Sequence, residues 1–301
     1  MRPLIVYSAL APFDLHHAEP ALQAALDFYK KAKNMVPGLR RNPSGQKREK
    51  SAFREYAESI IFAVVLALIL RQFVVQAFKI PSGSMEDTLL IGDHILVNKF
   101  LYHFTDPKQF DVIVFRYPWD EERDFIKRVI ALPGDRVEVR NRQVYVNGEA
   151  LEQEWYLHGT ASLGHEDFGP IVVPRAGDTV EIRQDQNLYL NNERVPIPAG
   201  AFYPRDHGQA MNGFQVFYGP LFPPGTTLRQ PVGPLAVEHD YYFTLGDNRG
   251  NSRDSRFWGL VRSTRIKGKA FFIYWSWNRA TSFPDYIRWD RLGKLLQPPS
   301  L

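Results

Sequence analysis

One stretch of chain limits the possible folds more than any other. Residues 59–70 read Ser-Ile-Ile-Phe-Ala-Val-Val-Leu-Ala-Leu-Ile-Leu without a charge, and after Arg71 the apolar character continues to Phe78. The segment 59–78 has the length that an α-helix needs to cross a bilayer. Arg71 lies nearer its C-terminal end, from where a long side chain can reach the interface. We therefore predict one transmembrane helix over 59–78, with a core helix of a soluble domain as the alternative.

The charge distribution favours the membrane interpretation. Residues 1–58 carry ten Lys and Arg against six Asp and Glu, which accounts for the whole net charge of +4. The rest of the chain carries 27 residues of each sign and is neutral, so it offers no basic face for nucleic acid. Basic residues crowd only the N-terminal side of the apolar segment, which predicts a cytoplasmic N-terminus. The segment begins too far from Met1 for an ordinary cleavable signal peptide.

From Lys79 onward the sequence predicts a mostly β fold. Short runs rich in Val, Ile, Tyr and Phe alternate with turns of Gly, Pro, Asn and Asp. An internal repeat supports this interpretation, because the Gly-Asp turn and alternating strand of residues 134–147 recur at 177–191. Each copy is expected to form a hairpin, and two copies are too few for a solenoid.

The residue inventory narrows the chemistry that the chain can perform. It has no cysteine, which excludes disulfides, a thiolate nucleophile and a Cys-ligated metal. Its eight histidines show no metal-ligand spacing, so we expect no metal and no cofactor. A Ser-His-Asp triad stays open, since its members can lie far apart, although no G-x-S-x-G motif announces one.

Two segments combine polar side chains with residues that force an irregular backbone. Residues 80–93 read Ile-Pro-Ser-Gly-Ser-Met-Glu-Asp-Thr-Leu-Leu-Ile-Gly-Asp, which places Ser82 and Ser84 around a glycine. Composition alone favours a polar loop, with serine as an ordinary turn residue. Residues 246–259 mix acids with three arginines and have no closing acid, which favours a turn held by Asp–Arg pairs over a calcium loop.

Between these segments Lys127 stands among apolar neighbours. Phe125, Lys127 and Val129 would share one face of a strand. Such a lysine either extends to solvent or pairs with an acid, or it is desolvated and acts as a general base. Desolvation can bring its pKa down from about 10.4, which supplies a neutral amine near neutral pH. A serine beside that amine would be an activated nucleophile without histidine.

Taken together, these blocks resemble the bacterial type I signal peptidase family. Its members are membrane-bound Ser/Lys serine endopeptidases that remove signal peptides from exported preproteins. The resemblance rests on Pro-Ser-Gly-Ser-Met with Thr88-Leu89, on Ile-Lys-Arg with Leu-Pro-Gly-Asp, and on Gly-Asp-Asn-Arg with Asn-Ser-x-Asp-Ser-Arg. The blocks cover roughly residues 76–139 and 240–275.

The resemblance implies a role for each matching residue. Ser84 would be the nucleophile and Lys127 the general base. The Ser84 N–H and the Ser82 hydroxyl would form the oxyanion hole, and Ser252 would hydrogen-bond and orient Lys127. Ion pairs that support the site are implied for Arg128, Asp247, Asp254 and Arg256. The shallow pockets that accept small residues at −1 and −3, as in Ala-x-Ala, would be lined by Ile80, Met85, Leu89, Phe125 and Ile126.

The resemblance also implies an organisation and a location. We expect a cytoplasmic segment at 1–58, the membrane helix at 59–78 and a catalytic region at 79–301. That region would be an antiparallel β catalytic core at about 79–140 and 240–280 with an inserted second β subdomain at about 141–239. The protein would pass once through the bacterial inner (cytoplasmic) membrane, with its catalytic domain on the periplasmic face. The expected partners are exported preproteins and membrane phospholipid.

Three features depart from many relatives. Those relatives have proline after Met-x, where this chain has Glu86-Asp87; many have an earlier membrane helix; and some have a disulfide in the inserted subdomain. Two other functions are compatible with the same residues. One is a self-cleaving repressor-type Ser/Lys protease, which would be soluble with a DNA-binding helix pair. The other is an inactive membrane-anchored β scaffold, which the presence of Ser84, Lys127 and Ser252 disfavours.

Overall fold

The computed structural model describes residues 56, 59–64, 75–141, 143–151, 167–199, 201–202, 211–278 and 286–296. The chain divides into two compact units, Met1–Val75 and Gln76–Leu301. In the first unit residues 59–64 are helical, and the apolar side chains of Ile60, Phe62 and Val64 are exposed. The predicted span continues over 65–74, which lies outside the described residues. Within the described ranges, no helix has both the length and the apolar character needed to cross a membrane.

The prediction that the membrane helix extends to residue 78 is wrong. Residues 75–78 belong to a strand, β1 (Val75–Lys79), which lies beside β2 (Asp93–Asn98) at one edge of a sheet. Pairing continues past the strand, since the Ile80 N–H donates to the Asp93 carbonyl over 2.9 Å and the Gly92 N–H to the Ile80 carbonyl over 3.0 Å. Valine and phenylalanine suit a pleated surface as well as a membrane, so hydropathy alone extended the helix too far.

The second unit is built from antiparallel β-sheets, and the predicted mostly β fold is confirmed. Its largest sheet has seven strands. In spatial order these are β1, β2, β17 (Ile266–Ser276), β3 (Val112–Tyr117), β4 (Asp120–Ala131), β15 (Tyr241–Leu245) and β16 (Val261–Arg262).

Three smaller sheets come from the chain between β4 and β15. The first has, in spatial order, the strands β7 (Glu149–Ala150), β6 (Gln143–Val146), β5 (Arg136–Arg140) and β8 (Phe168–Val172). The second has β11 (Glu193–Arg194), β10 (Leu188–Leu190), β9 (Thr179–Ile182) and β14 (Val232–Ala236). The third is the pair β12 (Ala201–Phe202) and β13 (Met211–Asn212). Among the described strands, β5 pairs with β6 and β8 and lies in one of the smaller sheets.

Short helices complete the described chain. In the second unit they are the α-helix α1 (Ser255–Trp258), a π-helix at Phe214–Tyr218, and 3-10 turns at Gly83–Met85, Leu101–His103, Gly219–Leu221, Arg249–Asn251, Ser263–Arg265 and Trp289–Arg291.

The large sheet and the inserted sheets share one hydrophobic core. The largest apolar cluster joins Ile130 of β4 and Phe243 of β15 to Val137, Ile171 and Val180 of the smaller sheets, all of them buried. Removing these side chains from water is the main favourable contribution to folding. The smaller sheets that carry these side chains are therefore packed in the same unit as the large sheet.

The sequence repeat appears as two hairpins closed in the same way. In β5–β6 the Asn147 side chain donates to Asp135 over 2.8 Å and accepts the Arg136 N–H over 2.8 Å. In β9–β10 the Asn191 side chain donates to Asp178 over 2.8 Å and accepts the Thr179 N–H over 2.9 Å. Both asparagines have positive φ angles of 55° and 51°, which asparagine adopts more readily than most residues.

Candidate active site

The fold brings Ser84 and Lys127 together across 43 residues of sequence. The Lys127 Nζ donates a hydrogen bond to the Ser84 Oγ over 2.6 Å and a second one to the Ile126 carbonyl over 2.9 Å. Lys127 comes from the middle of β4, opposite Ile113 of β3, and is only 2% exposed. Ser84 lies in the turn between β1 and β2 and is half-buried. The lysine end of this hydrogen bond is therefore buried, while the serine end retains some exposed surface.

Burial changes the protonation of Lys127. Loss of solvent lowers the pKa of the lysine from 10.5 to about 8, and the nearby carboxylates of Asp254 and Asp247 oppose this shift by attracting the charged form. At pH 7 about one amine in ten is then neutral. The Nζ lies 5.9 Å from the centre of the Phe125 ring, so the charged form also keeps an aromatic neighbour. The arrangement makes a neutral amine available beside a hydroxyl.

The turn that carries Ser84 is shaped by its own sequence. Ser82 is extended and exposed, and Gly83–Met85 follow as a single 3-10 turn that the Glu86 N–H closes on the Gly83 carbonyl over 3.1 Å. The Met85 side chain is fully buried and anchors the turn in the core. The two serines expected to surround the reacting carbonyl thus stand two residues apart on the solvent side of one turn.

The residues expected to line the substrate pockets fall into two groups. The side chains of Ile80, Met85 and Leu89 are buried in one apolar cluster, with half-buried Ile126 packed against it. Phe125 packs elsewhere, with its ring 5.0 Å from that of Trp258. Ile126 and Phe125 retain exposed surface beside Lys127 in the chain, whereas the side chains of the other three are buried.

Arg128, the residue after Lys127, makes a buried ion pair with Asp247. Its Nε and Nη2 donate to the two carboxylate oxygens over 2.9 and 2.6 Å. The same guanidinium donates to the Phe110 carbonyl over 2.9 Å and to the Thr88 hydroxyl over 3.1 Å. Both partners are almost fully buried, so this pair ties β4, the residue 246–259 segment and the end of the Ser84 turn together.

Asp254 and Arg256 form the second ion pair expected from the sequence. The Arg256 Nε donates to Asp254 over 2.8 Å, and the same carboxylate caps α1 and accepts the Gly246 N–H over 3.1 Å. Burial raises the pKa of the Asp254 carboxyl, but the charge and hydrogen bonds of Arg256, together with the Gly246 N–H, outweigh burial and hold it below its usual range. Asp254 is therefore ionised.

The hydrogen bond expected between Ser252 and Lys127 is not formed, and that prediction is wrong. Ser252 is fully buried, and its Oγ has no hydrogen-bond partner among the described residues. It lies near enough to Asp254 to help lower the pKa of that carboxyl, without the geometry of a hydrogen bond. The hydroxyl packs against Gly246, where a Cβ would collide with both Ser252 and the Ser84 carbonyl. Lys127 bonds to Ser84 as expected, and its other hydrogen bond goes to the Ile126 carbonyl and not to Ser252.

Residues that the sequence did not single out also hold the Ser84 turn. Arg291 is buried and donates to Asp93 over 2.6 Å and to the Thr88 carbonyl over 2.8 Å. Asn248 donates to the Gly83 carbonyl over 3.1 Å. Asn248 lies in a block that carried a signal, but Arg291 is an isolated basic residue near the C-terminus, and nothing in the sequence marked it.

Comparison with known proteins identifies the class to which this β-rich enzyme belongs. The family model described as "Signal peptidase, peptidase S26" matches residues 53–169 and 171–275. These ranges include every residue of the site named above except Arg291. The chain belongs to the signal peptidase family, peptidase S26.

Individual relatives agree with the family match. Signal peptidase I of Aquifex aeolicus is 35% identical over 231 residues, covering 72% of this chain and 82% of that protein. Signal peptidase I of Pseudomonas fluorescens is 34% identical over 264 residues, covering 78% of this chain and 77% of that protein. A crystal structure of a signal peptidase I from Enterococcus faecalis aligns with 55% of this chain and 97% of that chain, at 22% identity and a TM-score of 0.28. That superposition is loose, so the family assignment rests on the sequence matches.

The activity follows from membership of the family. The chain is a hydrolase that cleaves the signal peptides of exported preproteins.

Breaking the buried Arg128–Asp247 pair should destabilise the fold, because the remaining partner cannot regain water. We expect Arg128→Met to lower the free energy of unfolding by about 3–5 kcal/mol, because Asp247 is left buried and unpaired. Adding Asp247→Asn should recover part of this loss. Urea unfolding of the full chain in detergent, followed by tryptophan fluorescence, measures the effect.

Arg140→Met is the matched control, since the Arg140–Glu138 pair is largely exposed and should contribute less than about 1 kcal/mol. Equal effects of the two substitutions would show that burial does not govern the Arg128 pair.

Proposed function

We propose that the chain is a membrane-bound serine endopeptidase in which Ser84 is the nucleophile and Lys127 the general base. The observation that carries this proposal is the 2.6 Å hydrogen bond between the Ser84 Oγ and a lysine amine whose pKa is lowered to about 8. A hydroxyl is a poor nucleophile until a base removes its proton, and a neutral amine within hydrogen-bond distance is such a base.

The reaction proceeds through an acyl-enzyme. The Lys127 amine takes the Ser84 proton as the Oγ attacks the scissile carbonyl carbon. The resulting ammonium returns that proton to the leaving nitrogen as the C–N bond breaks, which frees the mature protein and leaves the signal peptide esterified to Ser84. Water then attacks the ester carbonyl while Lys127 takes its proton, and return of that proton to the Oγ releases the signal peptide.

The negative charge on the tetrahedral intermediate needs donors aimed at it. The Ser84 N–H and the Ser82 hydroxyl are the proposed oxyanion hole, supported by the position of both serines on one accessible turn. Ser82 is exposed in the free enzyme, and a bound peptide would exclude water from it.

Specificity for small residues follows from the apolar surface around the pair. Ile126 and Phe125 are half-buried beside Lys127, and Ile80, Met85 and Leu89 fill the space beneath the turn. Because this floor is already packed, little depth remains for a side chain larger than alanine. We propose that these residues select small side chains at −1 and −3, as in Ala-x-Ala.

We propose that the apolar segment beginning at residue 59 anchors the enzyme in the bacterial inner (cytoplasmic) membrane by a single pass. Residues 1–58 lie in the cytoplasm, and the catalytic unit lies on the periplasmic side in contact with phospholipid. The exposed apolar side chains of Ile60, Phe62 and Val64 on one short helical stretch support a lipid-facing surface, and the preceding basic residues support the orientation. Signal peptides occupy the same bilayer, which brings their cleavage sites to the enzyme.

The proposed mechanism predicts the loss of activity when either partner is removed. Purified full chain in detergent should cleave a preprotein after Ala-x-Ala without added metal or cofactor, as followed by gel electrophoresis and mass spectrometry of the new N-terminus. Ser84→Ala and Lys127→Ala should each lower kcat by at least about 10³-fold with the fold retained in circular dichroism. Lys267→Ala, which removes a half-buried lysine that pairs with Asp124, should keep full activity. Substantial cleavage by either active-site variant would refute the dyad.

The pH dependence follows from the protonation of Lys127. Only the neutral amine accepts a proton, so kcat/KM should rise with pH, about tenfold per unit at acidic pH, and level off above a midpoint near pH 8. Initial rates with one peptide substrate between pH 5 and 10 measure this limb. A midpoint near 10, the value of a free lysine, would contradict the desolvation argument.

Membrane anchorage has its own measurement. We expect the chain to stay in the membrane pellet after extraction with alkaline carbonate, because an apolar span is not held by charge alone. In intact bacterial spheroplasts, added protease should digest the catalytic unit and leave residues 1–58 protected. Release into the carbonate supernatant, or digestion of residues 1–58, would overturn the proposed topology.

A further inference from the structure

The turn that carries the nucleophile contains a strained residue. Asp87 has a φ of 80°, in the left-handed region that residues other than glycine seldom adopt. Such a conformation persists only where surrounding contacts hold it. Asp87 is itself exposed, so the restraining contacts come from its neighbours in the turn.

Asn248 makes three hydrogen bonds to this turn. Its backbone N–H donates to the Ser84 carbonyl over 3.2 Å. Its side-chain Nδ2 donates to the Gly83 carbonyl over 3.1 Å and to the Glu86 carboxylate over 2.9 Å. One residue from the opposite segment thus holds the peptide units on both sides of the Ser84 α-carbon.

Glu86 folds back over the same turn. A Cβ placed on Gly83 would come within 2.6 Å of the Glu86 Oε1, so the carboxylate occupies the space that glycine leaves open. A carboxylate only accepts hydrogen bonds, and it therefore requires the NH₂ side of the Asn248 amide to face it. That orientation is also the one that lets the amide donate to the Gly83 carbonyl.

We propose that Asn248 and Glu86 are positioning residues that hold the Ser84 hydroxyl against Lys127. We call this pair the Asn248–Glu86 latch. Asn248 fixes the backbone around Ser84, and Glu86 acts through Asn248 by fixing the direction of its amide. The inference rests on the proposed roles of Ser84 and Lys127. Neither latch residue takes part in proton transfer.

The latch should influence the chemical step more than substrate binding. Displacement of a reacting atom by about 1 Å can cost on the order of 100-fold in rate. The latch bonds to the turn that carries the nucleophile, so its loss should lower kcat and leave KM unchanged. It should also leave the pH midpoint unchanged, because Glu86 and Asn248 are not among the groups that shift the pKa of Lys127.

Single variants of the full chain in detergent test the two residues separately. We expect Asn248→Ala to lower kcat for a preprotein by about 10- to 100-fold. Asn248→Asp should lower it at least as much, because a carboxylate would face Glu86 and the Gly83 carbonyl. Glu86→Ala should lower kcat by about 3- to 10-fold, the size expected for one hydrogen bond, whereas Glu86→Gln should stay near wild type because its amide oxygen still accepts.

A double-variant cycle tests whether Glu86 acts through Asn248. Asn248→Ala combined with Glu86→Ala should be no slower than Asn248→Ala alone. Glu149→Ala on β7 and Asn187→Ala in the β9–β10 turn are matched controls outside the site and should keep wild-type kcat. A melting curve for each variant separates loss of position from loss of fold, and half-buried Glu86 can be changed without opening the core.

Several results would overturn the latch. One is a kcat within about twofold of wild type for both Asn248→Ala and Asn248→Asp; another is an equal loss of kcat in Glu86→Ala and Glu86→Gln. The same holds if the two losses of kcat multiply fully in the double variant, or if the variants raise KM and leave kcat unchanged. Ser84→Ala distinguishes this failure from failure of the proposed function. If Ser84→Ala is inactive and the latch variants are fully active, only the latch is wrong, whereas an active Ser84→Ala would refute the dyad itself.

Discussion

The arrangement around Ser84 depends on an energetically unfavourable feature, the burial of the Lys127 side chain. An ammonium removed from water is costly, and the lysine meets this cost by giving up its proton more readily. Both faces of β4 are covered at Lys127, and its Nζ is left with the Ser84 hydroxyl and one backbone carbonyl. The same burial that penalises the charged form favours the neutral amine.

Two nearby carboxylates, those of Asp247 and Asp254, act against the lowering of the Lys127 pKa. Asp247 and Asp254 both attract the charged form of Lys127. Each is bonded to its own arginine, Arg128 or Arg256, so much of its negative charge is balanced locally. The attraction of these two acids for the charged lysine is the smaller effect, and burial keeps the pKa of Lys127 below its ordinary value.

The turn that carries Ser84 is held by hydrogen bonds from several elements. Arg128 bonds the Thr88 hydroxyl, Arg291 bonds the Thr88 carbonyl, and Asn248 bonds the carbonyls of Gly83 and Ser84. These contacts come from β4, from the C-terminal 3-10 turn and from the segment before α1. A short irregular turn has few hydrogen bonds of its own, so its precision is supplied by the elements around it.

The sequence was informative where a pattern is local. Alternating apolar residues predicted the strands, the repeat predicted two equal hairpins, and the three blocks marked Ser84, Lys127 and the segment that surrounds them. It was less informative at the end of the apolar segment, because the residues of 75–78 suit either a membrane or a strand. The hydrogen bond that the resemblance implied between Ser252 and Lys127 is also not formed, since the distance between two side chains depends on the path of the backbone between them.

From the amino-acid sequence alone follow the β character of the fold, the order of the three blocks and the side chains available for chemistry. Which of those side chains meet depends on tertiary packing. Lys127 lies 43 residues from Ser84, and its pKa is lowered because the fold excludes water from it. The apolar neighbours of Lys127 in the sequence left a desolvated base and a paired or solvent-reaching lysine both open, because desolvation results from packing between distant segments.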